Sequence, residues 1–144
     1  MDFRHVTLGD IFRRNAQLFP DRTVIACGFE RISHRDYLKR VERLAAGLAA
    51  QGVKPGDRVA VAARNCPEFA DLYGATALIG AIMLPVNWRL NAEEIAYVLA
   101  DGDPTLVIVG PEDQPTIAGM QEKLPASAIF PVYRRSWLGP PDRR

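Results

Sequence analysis

Three short runs constrain this chain most: 58–63 (RVAVAA), 82–86 (IMLPV) and 105–109 (TLVIV). Apart from the leading Arg58 and Thr105 they are apolar at every position, not at every second one. A strand apolar on both sides needs cover on both sides, and a parallel sheet between two layers of helix supplies it. The stretches between the runs have the apolar spacing of helices, as that arrangement requires.

The helical stretches also carry their own start and stop signals. Over 8–19, Leu8, Ile11, Phe12, Ala16 and Phe19 fall on one predicted face, Thr7 with Asp10 caps the start, and Pro20 ends it. Residues 23–26 read as a strand with 29–32 as its hairpin partner. Tyr37, Leu38, Val41, Leu44, Ala45 and Leu48 form the longest apolar stripe, capped by Ser33 with Asp36 and stopped by Gly52. Pro67 suits a first helical turn, Glu68 favours its positive end, and Phe69, Leu72, Tyr73 and Thr76 continue the helix to Gly80. Asn91 and Glu94 form a capping pair ahead of Ile95, Val98 and Leu99, and 101–104 is a turn. A further helix is expected over 114–124, with Ile117, Met120 and Leu124, and a fourth strand over 128–132. The predicted fold class is therefore α/β: a partial doubly wound, mostly parallel sheet with flanking helices. Residues 1–133 are expected to form one partial domain and 134–144 an irregular tail.

The uncharged run 72–88 raises the question of a membrane span. It is shorter than the ~20 apolar residues a span needs, and Pro85 and Asn87 interrupt it. It reads instead as a helix end, a glycine turn and a buried strand. A net charge of +1 gives no field for nucleic acid, and Arg134, Arg135, Arg143 and Arg144 read as a solvated tail. Cys27 and Cys66 have no disulfide or metal-site spacing, so a reducing, cytoplasmic setting and small buried apolar roles are expected. The N-terminal stretch has no apolar core of a secretory signal.

Catalytic signatures are missing from these residues. His5 and His34 are isolated, and Ser33, Ser127 and Ser136 are scattered. There is no glycine-rich dinucleotide fingerprint, no P-loop and no nucleophile elbow. Glu93 and Glu94 sit in a helical first turn and Asp101 and Asp103 in a turn, where carboxylates have structural work to do. Trp88 and Arg89 directly follow a strand, the place where open α/β sheets take ligands. The alternative is an aromatic packed on a neighbouring subdomain. No catalytic, cofactor-binding or metal residue is assigned.

The run GVKPGDRV, then Asn65-x-Pro67-Glu68-Phe69, then Gly80-Ala81 before a strand ending Pro85-x-Asn87, then an acid-opened helix, resembles the N-terminal region of the AMP-forming adenylate enzymes. These are the acyl-CoA synthetases, luciferases and peptide-synthetase adenylation domains. TVIACG and the Tyr37 helix also fit, so the resemblance spans about 5–132, and NWRL looks most like the branch acting on fatty or aromatic acids. The resemblance implies the N-terminal subdomain of the adenylate-forming fold. The implied parent reaction converts a carboxylic acid, ATP and CoA to acyl-CoA, AMP and pyrophosphate, with Mg²⁺ at the phosphates.

The family's Ser/Thr/Gly-rich phosphate loop, its later nucleotide motifs and its C-terminal lid have no counterpart in these residues. ATP, Mg²⁺ and CoA are thus expected for a full-length member and none for this chain alone. Cys66 stands where many relatives have a capping serine, with Asn65 expected to take over the cap. The first expectation is an N-terminal part of an acyl-CoA synthetase, inactive alone. A scaffold chain of a split enzyme and a non-catalytic α/β binding module are the alternatives. The expected partners are the remainder of the enzyme or a second copy, with no nucleic acid and no membrane span.

Overall fold

The computed structural model describes residues 6–112, residues 115, 117 and 119, and the strand 128–131. The elements, in order, are α1 (Leu8–Leu18), β1 (Thr23–Cys27), β2 (Glu30–Ser33), α2 (His34–Ala50) and β3 (Arg58–Ala62). They continue with α3 (Pro67–Ile79), β4 (Ile82–Val86), α4 (Ala92–Gly102), β5 (Leu106–Val109) and β6 (Ala128–Pro131). The helix expected over 114–124 lies largely outside the described residues. Residues 132–144, with the proposed domain boundary and the arginine tail, lie wholly outside them.

β1 and β2 form an antiparallel hairpin, and the other four strands form a sheet in the order β4-β3-β5-β6. Every pairing in that sheet is parallel. The chain first steps from β3 to β4, then crosses back past β3 to β5. Crossovers of one hand made in opposite lateral directions put their helices on opposite faces. Accordingly α3 and α2 cover one face, where Val59, Val61, Leu106 and Ile108 meet Leu44, Leu48, Leu72 and Ala75. α4 covers the other, where Ala60, Ala62, Val107 and Val109 meet Ile95, Leu99 and Ile117. The apolar runs of β3 and β5 are thus buried on both sides, as their composition requires.

The helix signals hold at atomic detail. Thr7 and Asp10 form a reciprocal capping box, as do Asn91 and Glu94. The Ser33 hydroxyl accepts the Asp36 N–H at 3.1 Å. Gly80 ends α3 in the left-handed region, with φ 71°.

Four expectations are corrected. Among the described residues β4 is an edge strand, and it is not buried on both faces: Ile82 is 52% exposed and Pro85 is exposed. The position suits Pro85, which has no N–H to give a ladder. α1 turns most of its predicted apolar face outward; Leu8, Ile11 and Phe19 are exposed, and the helix instead approaches α3 through Gly9. A Cβ at Gly9 would lie 2.9 Å from Leu78, so side-chain-free backbone sets that contact. Phe12 alone of the stripe joins a cluster, meeting the Tyr37 ring edge-on at 5.5 Å. Phe29 is no strand residue but stands fully exposed at the hairpin turn. Finally, Cys27 is exposed and Cys66 half-buried, so neither is a buried core residue. Cys27 ends a hairpin strand that is itself mostly exposed.

One buried polar group ties the helical layer together. Asp71 on α3 is 1% exposed and accepts from Arg40 of α2, Nε at 3.0 Å and Nη2 at 2.7 Å. Arg40 also reaches Glu30 of the hairpin at 3.4 Å. Burial raises the Asp71 carboxyl above its ordinary range against the opposing pull of Arg40. Burial works against the Arg40 charge, but Asp71 and Glu30 outweigh it and hold its pKa above the ordinary value. Beside this pair, the Tyr37 hydroxyl donates to the Ala70 carbonyl at 2.8 Å. Its ionisation is pushed up to about 12, first by burial and then by the Asp71 charge.

Asp71→Asn takes from the largely enclosed Arg40 charge its nearer counter-ion, leaving only the exposed Glu30 at 3.4 Å, and is expected to cost about 3 kcal/mol in urea unfolding. Arg40→Met together with Asp71→Leu should recover most of that loss, because the one charge then left unpaired, Glu30, is exposed to water. Tyr37 generates a pH prediction. Its folded-state pKa lies above the unfolded value of 10, so its contribution is complete below pH 10 and is lost as pH rises towards about 12. Tyr37→Phe should flatten that alkaline loss in a series of unfolding curves.

Candidate functional site at the strand ends

Open parallel sheets take ligands beyond the carboxyl ends of their strands, where successive loops diverge to opposite faces. Here the loop after β3 leads to α3 on one face, while the loop after β4 leads to α4 on the other, where Ile117 beyond β5 also packs. The chain therefore opens above the end of β3. Three loops meet there: 63–66, 87–91 and 110–112.

Local hydrogen bonds fix these loops. The Gly110 N–H donates to the Ala62 carbonyl at 2.8 Å, carrying the β3–β5 ladder one step past the strands. The Asn87 side chain accepts the Arg89 N–H at 3.0 Å, and its carbonyl accepts the Leu90 N–H at 3.1 Å. This turn after β4 sets Trp88 and Arg89 outward.

The side chains on the rim form one cluster. The Arg64 guanidinium carbon lies 4.7 Å from the centre of the Trp88 ring, and that of Arg89 lies 4.6 Å from it. An indole ring is the strongest aromatic partner for a cation. Arg64 Nε also meets Glu112 Oε2 at 2.7 Å across the β3 and β5 loops. Among the described residues no carboxylate lies within ion-pair distance of Arg89. The rim thus offers a partly exposed aromatic surface, one neutralised guanidinium and one that is open to an anion.

Sequence reading puts Trp88 and Arg89 directly after a strand, as the structure does, but does not bring Arg64 and Glu112 to the same rim. Those two are separated along the chain by two strands and two helices, and only the β3–β5 register brings them together. The other candidates do not join the site. Glu93 and Glu94 serve the start of α4, Ser33 caps α2, and His34 is its first residue. Asp103 takes the left-handed position after α4 at φ 38° and lies 3.9 Å from Arg58. The N-cap position of α3 is Cys66, which makes no side-chain cap hydrogen bond, and Asn65 does not take over that position. His5, Ser127 and Ser136 lie outside the described residues. Among the described residues no group of three or more His, Cys, Asp or Glu could hold a metal ion. No described helix is long and apolar enough to cross a membrane.

The fold is a parallel α/β sheet with an indole and two guanidinium groups at its strand ends, and comparison narrows it. The AMP-binding enzyme family matches residues 12–138, and the chain belongs to that family. A feruloyl-CoA synthase of an Amycolatopsis species is 36% identical over 117 residues, covering 81% of this chain and 24% of that protein. A long-chain-fatty-acid–CoA ligase of Mycobacterium tuberculosis is 36% identical over 97 residues, covering 67% and 18%. Among solved structures, one from Rhodopseudomonas palustris described as a long-chain-fatty-acid CoA ligase is 51% identical, with TM-score 0.84, covering 89% of this chain and 33% of that one. The chain therefore spans about a quarter of the length of the curated relatives it matches and corresponds to the N-terminal part of the adenylate-forming fold.

Trp88→Ala removes the surface on which both guanidinium groups rest. It is expected to leave the core intact and change the thermal midpoint by only a few degrees, as calorimetry would show.

Proposed function

We propose that this chain is the scaffold portion of an AMP-forming acid–CoA ligase. In the parent reaction a fatty or aromatic carboxylic acid is activated by ATP with release of pyrophosphate and then transferred to CoA. The observation that carries the reading is the strand-end rim, where Arg89 stands open to an anion at the place such folds take ligands. Carboxylate, triphosphate and CoA are all anionic, so a guanidinium there meets a group that every substrate of this reaction carries. The family match and relatives acting on aromatic and fatty acids support the same reading.

The chemistry requires more than these residues hold. Polarising a phosphoryl group takes a cradle of backbone N–H donors, a lysine and a metal, and the sequence has no loop of that composition. The chain's own part is to position the rim and to form one wall of the acid pocket; turnover needs residues beyond these. A cytoplasmic location and a domain boundary near residue 133 belong to the same proposal.

The exposed edge of β4 favours a second form of it, in which a separate polypeptide supplies the remainder. Ile82 on that edge is exposed apolar surface. Such an edge is a template for pairing with another chain.

The purified chain should show no carboxylic-acid-dependent exchange between ATP and labelled pyrophosphate; robust exchange with any acid would sink the proposal. Ile82→Lys is expected to reduce self-association in sedimentation at little cost in thermal midpoint, because it blunts the open edge without entering the core.

A further inference from the structure

We infer that Glu112 and Arg64 are positioning residues for the anion-facing group of this rim, an inference that rests on the reading proposed above. Arg64 has two roles that a simple surface cation does not combine. It lies against the Trp88 indole at 4.7 Å, and its Nε is held by Glu112 at 2.7 Å. Arg89 lies against the same indole at 4.6 Å.

The order of support runs inward from the sheet. The β3–β5 pairing of Ala62 with Val109, extended by the Gly110 to Ala62 hydrogen bond, fixes where the 64 and 112 side chains start. Glu112 then fixes the plane of the Arg64 guanidinium through a charge-assisted bond to one edge of it. That plane is one support for the indole, and the indole is the surface on which Arg89 rests. The backbone turn at Asn87 holds the Arg89 main chain but leaves its long side chain free. A side chain of this length loses rotamer entropy on binding, and resting it on a fixed ring beforehand reduces that loss.

Charge alone makes the opposite prediction. A carboxylate on the rim repels an incoming anion, so removing it should strengthen binding. Positioning predicts that removing it weakens binding. Lysine at 64 separates the two roles again, because it keeps the charge but has no planar fork and no Nε to meet Glu112.

The test uses the full chain in a Trp137→Phe background, where Trp88 is the sole tryptophan, since the sequence contains two. Fluorescence anisotropy decay without ligand reads the local motion of Trp88. Glu112→Gln and Arg64→Lys should each increase its nanosecond rotation, and Glu112→Asp should restore part of the restriction. Unchanged restriction in both Glu112→Gln and Arg64→Lys overturns the inference, whatever binds.

Isothermal titration with inorganic pyrophosphate supplies the second reading. Arg89→Met should abolish heat of binding, and Glu112→Gln should weaken binding about threefold to fivefold, the scale of one exposed ion pair. Equal or tighter binding by Glu112→Gln overturns positioning. Absence of binding by the parent chain overturns the rim as an anion site and leaves positioning to be decided by the anisotropy result.

Discussion

The central strand β3 must be covered on four sides, and most of the molecule follows from that. Its two edges are taken by β4 and β5, and its two faces by different helices. Val59 to Ala62 are almost wholly inaccessible to water. A backbone this deep satisfies its polar groups only through ladders on both edges. The two crossovers must then leave in opposite directions, and the same reversal opens the crevice at the strand ends. Architecture and the place of the proposed site thus share one cause.

The rim and the buried Arg40–Asp71 pair show two uses of the same side chain. Arg40 is held among three elements and neutralised by carboxylates on two of them, so it serves cohesion. Arg89 has an aromatic support and an open charge, the arrangement on which the proposed recognition role rests. Arg64 lies between these cases, half exposed but doubly held. What separates them is the position of the nearest acid, which depends on strand register and helix packing.

Much of the fold was legible because local and global signals agree. Thr7–Asp10 and Asn91–Glu94 announce helix starts by chemistry that acts over three residues, and the structure keeps both. The β3 and β5 runs announce burial on both faces by composition alone. β4 has the same composition and misled for that reason: nothing within five residues distinguishes a central strand from an edge, except Pro85. α1 misled because a stripe gives a helix its apolar side but not its partner, and Gly9 determined the approach. The site was half legible. Trp88 and Arg89 follow a strand and could be flagged from order alone, whereas Arg64 and Glu112 needed the β3–β5 register.

Pro85 also sets what the open side of the sheet can accept. The Ile82 N–H points inward, donating to Asp57 at 2.8 Å, so by alternation the amides of Met83 and of position 85 point outward. Position 85 has no hydrogen to give. A visiting strand could be gripped near Met83 but would lose its next handhold, so long indiscriminate stacking of identical copies is interrupted while a short, matched neighbour is still admitted. The proline works as a selectivity filter for company along that border.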